Sequence, residues 1–114
     1  MKGLYICKTY RKNIRTGEIF PVLKYGKTNN IETRMKYYNK KSTYKLLAFF
    51  PVKNYLDKRE SFIQNEYEEY RLTRNEHIKY EKGSFKILYN QVKEAASVEI
   101  FKTKNGFMYK DATL

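Results

Sequence analysis

Only one cysteine, Cys7, occurs among the 114 residues, so no disulfide can close within the chain and a disulfide-stapled secreted scaffold is excluded. No apolar run of signal-peptide length follows Met1, and no stretch approaches the roughly twenty apolar residues that span a bilayer. An intracellular protein without a membrane span is the expectation. Hydrophobic runs such as Leu46 to Val52 are of strand length. His77 is the single histidine and stands in a polar stretch with no Cys, Asp or second His at ligand spacing. A zinc site, a Ser/His/Asp triad and a Cys/His nucleophile therefore lack partners, and His77 reads as a solvated loop residue. A glycine-rich phosphate loop is also missing, which argues against nucleotide hydrolysis. Tryptophan is absent, whereas there are twelve Tyr and seven Phe. The core must be built partly from rings whose polar tips reach water or ligands.

What is abundant is positive charge. A formal net charge of +12 and a pI near 9.7 suit a polyanionic partner, nucleic acid before an acidic protein or an anionic membrane. With 41% hydrophobic residues the chain supports one modest core, hence a single domain over residues 1–114. Eighteen Lys against six Arg, with frequent Asn, Tyr and Ile, is the usage of an AT-rich coding sequence, as in a phage, a virus or a low-GC bacterium.

Gly3 to Tyr10 is rich in β-branched and aromatic residues and reads as a strand; Arg11 to Glu18 is a polar loop, and Ile19 to Tyr25 is a second strand broken by Gly26. Asn29 or Asn30 caps a helix starting near Ile31, with Ile31, Met35 and Tyr38 at i, i+4, i+7 spacing. A largely buried third strand spans Tyr44 to Val52, and a helix signalled by Asn54 and Asp57 runs to about Leu72. Gly83 and Ser84 open a further helix with Phe85, Leu88, Tyr89 and Val92 on one side. Val98 to Phe101, Lys104-Asn105-Gly106 and Phe107 to Tyr109 form a final hairpin. The fold class is thus α/β: a small mixed sheet flanked by helices, with a core over about 3–95 and a C-terminal hairpin over about 97–110.

Four features stand in order along this scaffold. Gly3-Leu4-Tyr5 lies in the first strand and Lys24-Tyr25-Gly26 in the second; Arg34 follows Gly26 by eight residues, and Arg59-Glu60-Ser61-Phe62 follows the third strand. The set resembles the GIY-YIG nucleases, whose two triplets, essential arginine and metal-binding glutamate occur on matching elements, and the resemblance covers about residues 3 to 70. Lys24 stands where many members have tyrosine, as in a phage-associated subgroup with lysine there. Strand alternation puts Lys24 and Tyr25 on opposite faces, with Lys24 favoured for the site.

The residues themselves favour two of these positions independently. On the second helix Leu56, Glu60, Ile63, Tyr67 and Tyr70 share one stripe, whereas Asp57, Glu68 and Glu69 lie off it. A carboxylate on an apolar stripe must be paired, protonated or metal-bound, so a salt bridge from Glu60 to a nearby Lys or Arg is the competing account. Arg34 shares the side of Ile31 and Tyr38, where its planar fork suits a phosphate.

The resemblance implies a metal-dependent DNA endonuclease hydrolysing phosphodiester bonds. Tyr5, Lys24, Arg34, Tyr38 and Glu60 would be its catalytic residues, with Glu60 holding Mg²⁺ or another divalent cation such as Mn²⁺. Tyr38 or the adjacent Tyr37 would replace a histidine found in some members, the alternative being that both are packing residues, and a late family asparagine would correspond to Asn90. Tyr5 would orient or deprotonate the water, with its pKa lowered by Lys24 and Lys8. Lys8, Lys27 and Lys36 are candidate DNA contacts, and the hairpin could serve dimerisation to a homodimer or DNA contact. Two other readings fit the composition: a catalytically degenerate nucleic-acid-binding module of this fold, and a small basic viral protein that binds a protein partner.

Overall fold

The first two strands alternate so regularly that each residue's face can be assigned by parity. In the computed structural model, which describes residues 1–41, 44–66, 77–81 and 83–110, β1 (Gly3–Lys12) and β2 (Ile19–Thr28) pair antiparallel from Gly3 opposite Thr28 to Lys12 opposite Ile19. The turn between them is held by Asn13, whose side-chain oxygen accepts from the Arg15 and Thr16 amides and whose carbonyl accepts from Gly17. Gly17, at φ +75°, takes the left-handed conformation that closes the turn.

α1 (Ile31–Lys41) begins as expected: the Asn30 side chain accepts from the Thr33 amide at 3.2 Å, the bond of an N-cap. β3 (Lys45–Pro51) lies antiparallel on the free side of β1, with a register shift between Ile6 and Cys7. α2 (Leu56–Glu66) follows. β4 (His77–Lys79) pairs with β2, His77 opposite Lys24, and α3 (Ser84–Ser97) leads into a separate hairpin of β5 (Glu99–Thr103) and β6 (Gly106–Lys110). The main sheet has the order β3-β1-β2-β4.

The α/β architecture and its C-terminal hairpin agree with the sequence expectation, but the sheet expected to be mixed is antiparallel in each described pairing. Two further expectations fail. The third strand is not largely buried: it is the sheet edge, and its residues are half-buried or exposed. His77 is not a loop residue, since its backbone completes the sheet edge against β2. The expected end of the second helix, with Tyr67 to Leu72, lies outside the described residues.

The helices cover the sheet from two sides. Leu4, Ile6, Leu23 and Tyr25 point toward α2 and α3, where they join Val52, Ile63, Ile78, Leu88, Val92 and Ala95 in the main buried cluster. Fully burying each such aliphatic side chain contributes about 1.5–3 kcal/mol before entropy is subtracted. Tyr5 and Cys7 point the other way and pack with Tyr38, flanked by Ile31 and Met35 of α1, in a second, smaller cluster. Among the described residues no helix is long and apolar enough to cross a membrane.

Candidate nuclease site

The smaller cluster is where the sequence candidates meet. β1 delivers Tyr5 to the α1 face, directly opposite Gly26 of β2. A Cβ at Gly26 would fall 2.6 Å from the Tyr5 hydroxyl oxygen, so the bare glycine backbone is what leaves room for the phenol. Gly3 is equally constrained, because a Cβ there would lie 2.2 Å from the Phe50 carbonyl oxygen. Both glycines of the two triplets are therefore positions of close approach.

Tyr38, one turn beyond Arg34 on α1, is the centre of the arrangement. Its hydroxyl and that of Tyr5 share a 2.6 Å hydrogen bond, and both residues are buried. Lys24 Nζ lies 4.8 Å from the Tyr38 ring centroid and the Arg34 guanidinium carbon 5.8 Å, so two cations flank one ring. Tyr44, at the entry to β3, stacks on Tyr38 with centroids 4.4 Å apart and fixes it. Tyr37 is half exposed beside it, which resolves the tyrosine pair: Tyr38 is the one that joins Tyr5. Arg34 also lines an open groove of about 410 Å³ together with Thr28, Asn29, Asn30, Thr33 and Tyr37. That groove gives an extended ligand access to the guanidinium.

The electrostatics correct one expectation. Burial, then the hydrogen bond that the Tyr5 hydroxyl gives to Tyr38, push the Tyr5 phenol well above its ordinary range, and the opposing Arg34 charge is too weak to reverse this. Tyr5 is thus a neutral hydroxyl, not an acidified base. Lys8 cannot supply the field expected of it either. It shares the parity of Leu4 and Ile6, and its ammonium rests between the rings of Tyr10, at 5.6 Å, and Tyr80, at 5.2 Å. Cys7 is pushed up to about 12 by burial, with Lys24 opposing, and its Sγ donates to Met35 Sδ at 3.8 Å.

Glu60 belongs to the helix on the opposite face. It is half-buried on the stripe of Leu56 and Ile63, as its spacing predicted. One turn earlier Asp57 is ion-paired with Lys27 at the end of β2, so Lys27 is tied to a carboxylate and this turn of α2 is anchored at the rim of the sheet. Lys36 is exposed on α1, and Asn90 is exposed on α3, away from the Tyr38 cluster.

The sequence reading passed over Arg59. It is 6% exposed, and its guanidinium donates to the Asn54 carbonyl and side chain and to the Ala95, Ala96 and Val98 carbonyls. Burial draws its pKa down from the usual guanidinium value. It ties the start of α2 to the end of α3 by satisfying carbonyls that the helix leaves open. The only available signal was its place beside Glu60.

No curated protein and no solved structure matches the chain. Residues 2–99 match the T5orf172 domain model, a span that contains every residue gathered around Tyr38 as well as Glu60, and the chain belongs to the T5orf172 domain family, a phage-associated domain found in nuclease-type proteins.

Proposed function

We propose that this protein is a metal-dependent endonuclease of the GIY-YIG type that hydrolyses phosphodiester bonds in DNA inside a bacterial or phage-infected cell. One observation carries the reading: Tyr5, Lys24 and Arg34, distant in sequence, converge on Tyr38 beside an open groove.

Phosphodiester cleavage requires charge neutralisation at the phosphate, an oriented water and a stabilised leaving oxygen. Arg34, on the groove wall, offers the planar pair of N–H donors that grips two non-bridging oxygens. Within the Tyr5–Tyr38 pair one hydroxyl donates to the other, which leaves a single phenolic hydrogen free to donate to a phosphate oxygen or to the oxygen of the attacking water. Because Tyr5 is held neutral, its hydroxyl orients the ligand and does not abstract a proton. The Lys24 ammonium over the Tyr38 ring keeps positive potential beside the pair.

Among the described residues no three His, Cys, Asp or Glu side chains gather as a metal cage. Mg²⁺, or Mn²⁺ in its place, commonly uses one or two carboxylates and completes its shell with water and substrate phosphate. Glu60 is the carboxylate that would hold it, and the bound cation would supply an acidified water and neutralise charge at the phosphate.

Incubating the purified protein with supercoiled plasmid tests the reading directly. Nicking is expected with Mg²⁺ and none with excess chelator. Retained plasmid binding with no nicking under any divalent cation would leave a binding module in its place.

A further inference from the structure

The family match ends at residue 99, where β5 begins, so nearly all of the hairpin lies outside the matched span. Its inner face is fixed. Ile100 is buried, and Phe107 packs on Tyr55 with ring centroids 5.5 Å apart while Lys58 Nζ sits 4.6 Å from the Phe107 centroid. Those two partners flank the start of α2, the helix that carries Glu60 one turn further on. The hairpin is therefore anchored at the start of the helix that carries the proposed metal carboxylate.

Among the described residues nothing covers its outer face. Phe101 and Met108 stand directly opposite each other across the two strands and are 48% and 61% exposed. Lys104 is exposed at the turn, Lys102 is exposed opposite Phe107 on the inner side of the ribbon, where Lys58 also lies, and Lys53 is exposed near the base, while Glu99 is the one acidic residue from 99 to 110. A second copy brought to this face would carry the same +12 excess, whereas a polyanion is attracted to it.

We infer that the β5–β6 hairpin is a second contact surface for duplex DNA, with lysines on the phosphates and the Phe101–Met108 pair against the sugars and base edges of a groove. A two-stranded ribbon is of a size that enters a DNA groove, and exposed apolar side chains on such elements pack against or wedge between base steps. The inference rests on the nuclease reading only in taking DNA as the ligand.

Two double variants test it, with a short duplex as probe, chelator present, and thermal melting confirming the fold. Lys102→Gln with Lys104→Gln should weaken binding and lower the magnitude of the log–log salt slope by about two, since each phosphate contact contributes about 0.9. Phe101→Ser with Met108→Ser should weaken binding about five- to tenfold while leaving that slope and the sedimentation coefficient unchanged. Wild-type affinity in both variants would overturn the proposal. So would an apolar variant that turns a dimer into a monomer with unchanged DNA affinity, because a second copy would then be the occupant. Because binding is read without metal, a wild type that binds but never nicks defeats the nuclease reading alone and leaves the hairpin result standing.

Discussion

β1 and β2 present two unlike surfaces from one stretch of backbone. Toward α2 and α3 they offer Leu4, Ile6, Leu23 and Tyr25, all fully buried in the main cluster; toward α1 they offer Tyr5, Cys7, Lys24 and the bare Gly26. The first surface has the contents of a core, and the second combines hydroxyls, a cation and a cleared space. Since neighbouring residues alternate between them, the packing of one face fixes the positions of groups on the other to within a pleat. Stability and chemistry should then separate by parity along the same strand.

The largest effect is expected at Glu60, the candidate that lies off the α1 face. Glu60→Gln keeps the shape of the side chain but removes the charge that would hold the cation, so cleavage should vanish while DNA affinity and melting temperature stay near wild type. Loss of melting temperature with specific activity retained would make Glu60 a structural ion-pair partner instead. Arg34→Ala comes next. Removal of one preorganised donor to the phosphate typically costs two or more orders of magnitude in turnover, and Arg34→Lys should recover little because lysine lacks the two-point fork. Turnover of the alanine variant within threefold of wild type would remove Arg34 from the site.

A pair of variants tests the separation by face. Leu88→Ala, in the main cluster, should cost about 2–5 kcal/mol of stability yet leave turnover per folded molecule unchanged. Tyr38→Phe should cost only about 1–3 kcal/mol, the penalty for leaving the Tyr5 hydroxyl without its partner, but lower turnover about tenfold. Equal losses of turnover in both would show that the two faces are not functionally distinct. The smallest effect concerns Cys7. With its thiol pushed up to about 12, the thiolate fraction at pH 8 is about one in ten thousand, and a disulfide-exchange reagent should label the native protein negligibly and the unfolded protein fully. Rapid stoichiometric labelling in native buffer would show that the α1 face opens readily.

Much of this was legible before any coordinates. Alternation separated Lys24 from Tyr25 correctly, the i, i+4, i+7 row found the packed side of α1, and Asn30 marked its start. Helical spacing likewise set Glu60 with Leu56 and Ile63. The misses share a physical cause, dependence on partners far along the chain. β4 is three residues whose strand character comes from pairing with β2, and Arg59 is explained by carbonyls some 36 to 39 residues away. The direction of the Tyr5 shift depended on burial and on the Tyr38 hydroxyl, neither of which is a property of β1 alone. Lys8 was a different kind of error, because its parity with Leu4 and Ile6 was already visible.

The Arg59 guanidinium has a consequence for how the molecule opens. It spans the Asn54 carbonyl before α2, the last carbonyls of α3 and the Val98 carbonyl just ahead of β5, so none of these three segments can detach without stranding a buried cation. They should open as one cooperative unit, and hydrogen exchange checks this: amide hydrogens at the start of α2, the end of α3 and the root of the hairpin are expected to exchange with a common free energy. The helix bearing Glu60 and the C-terminal ribbon would thus breathe as a single piece, and a substrate that tightens one should slow exchange in the other.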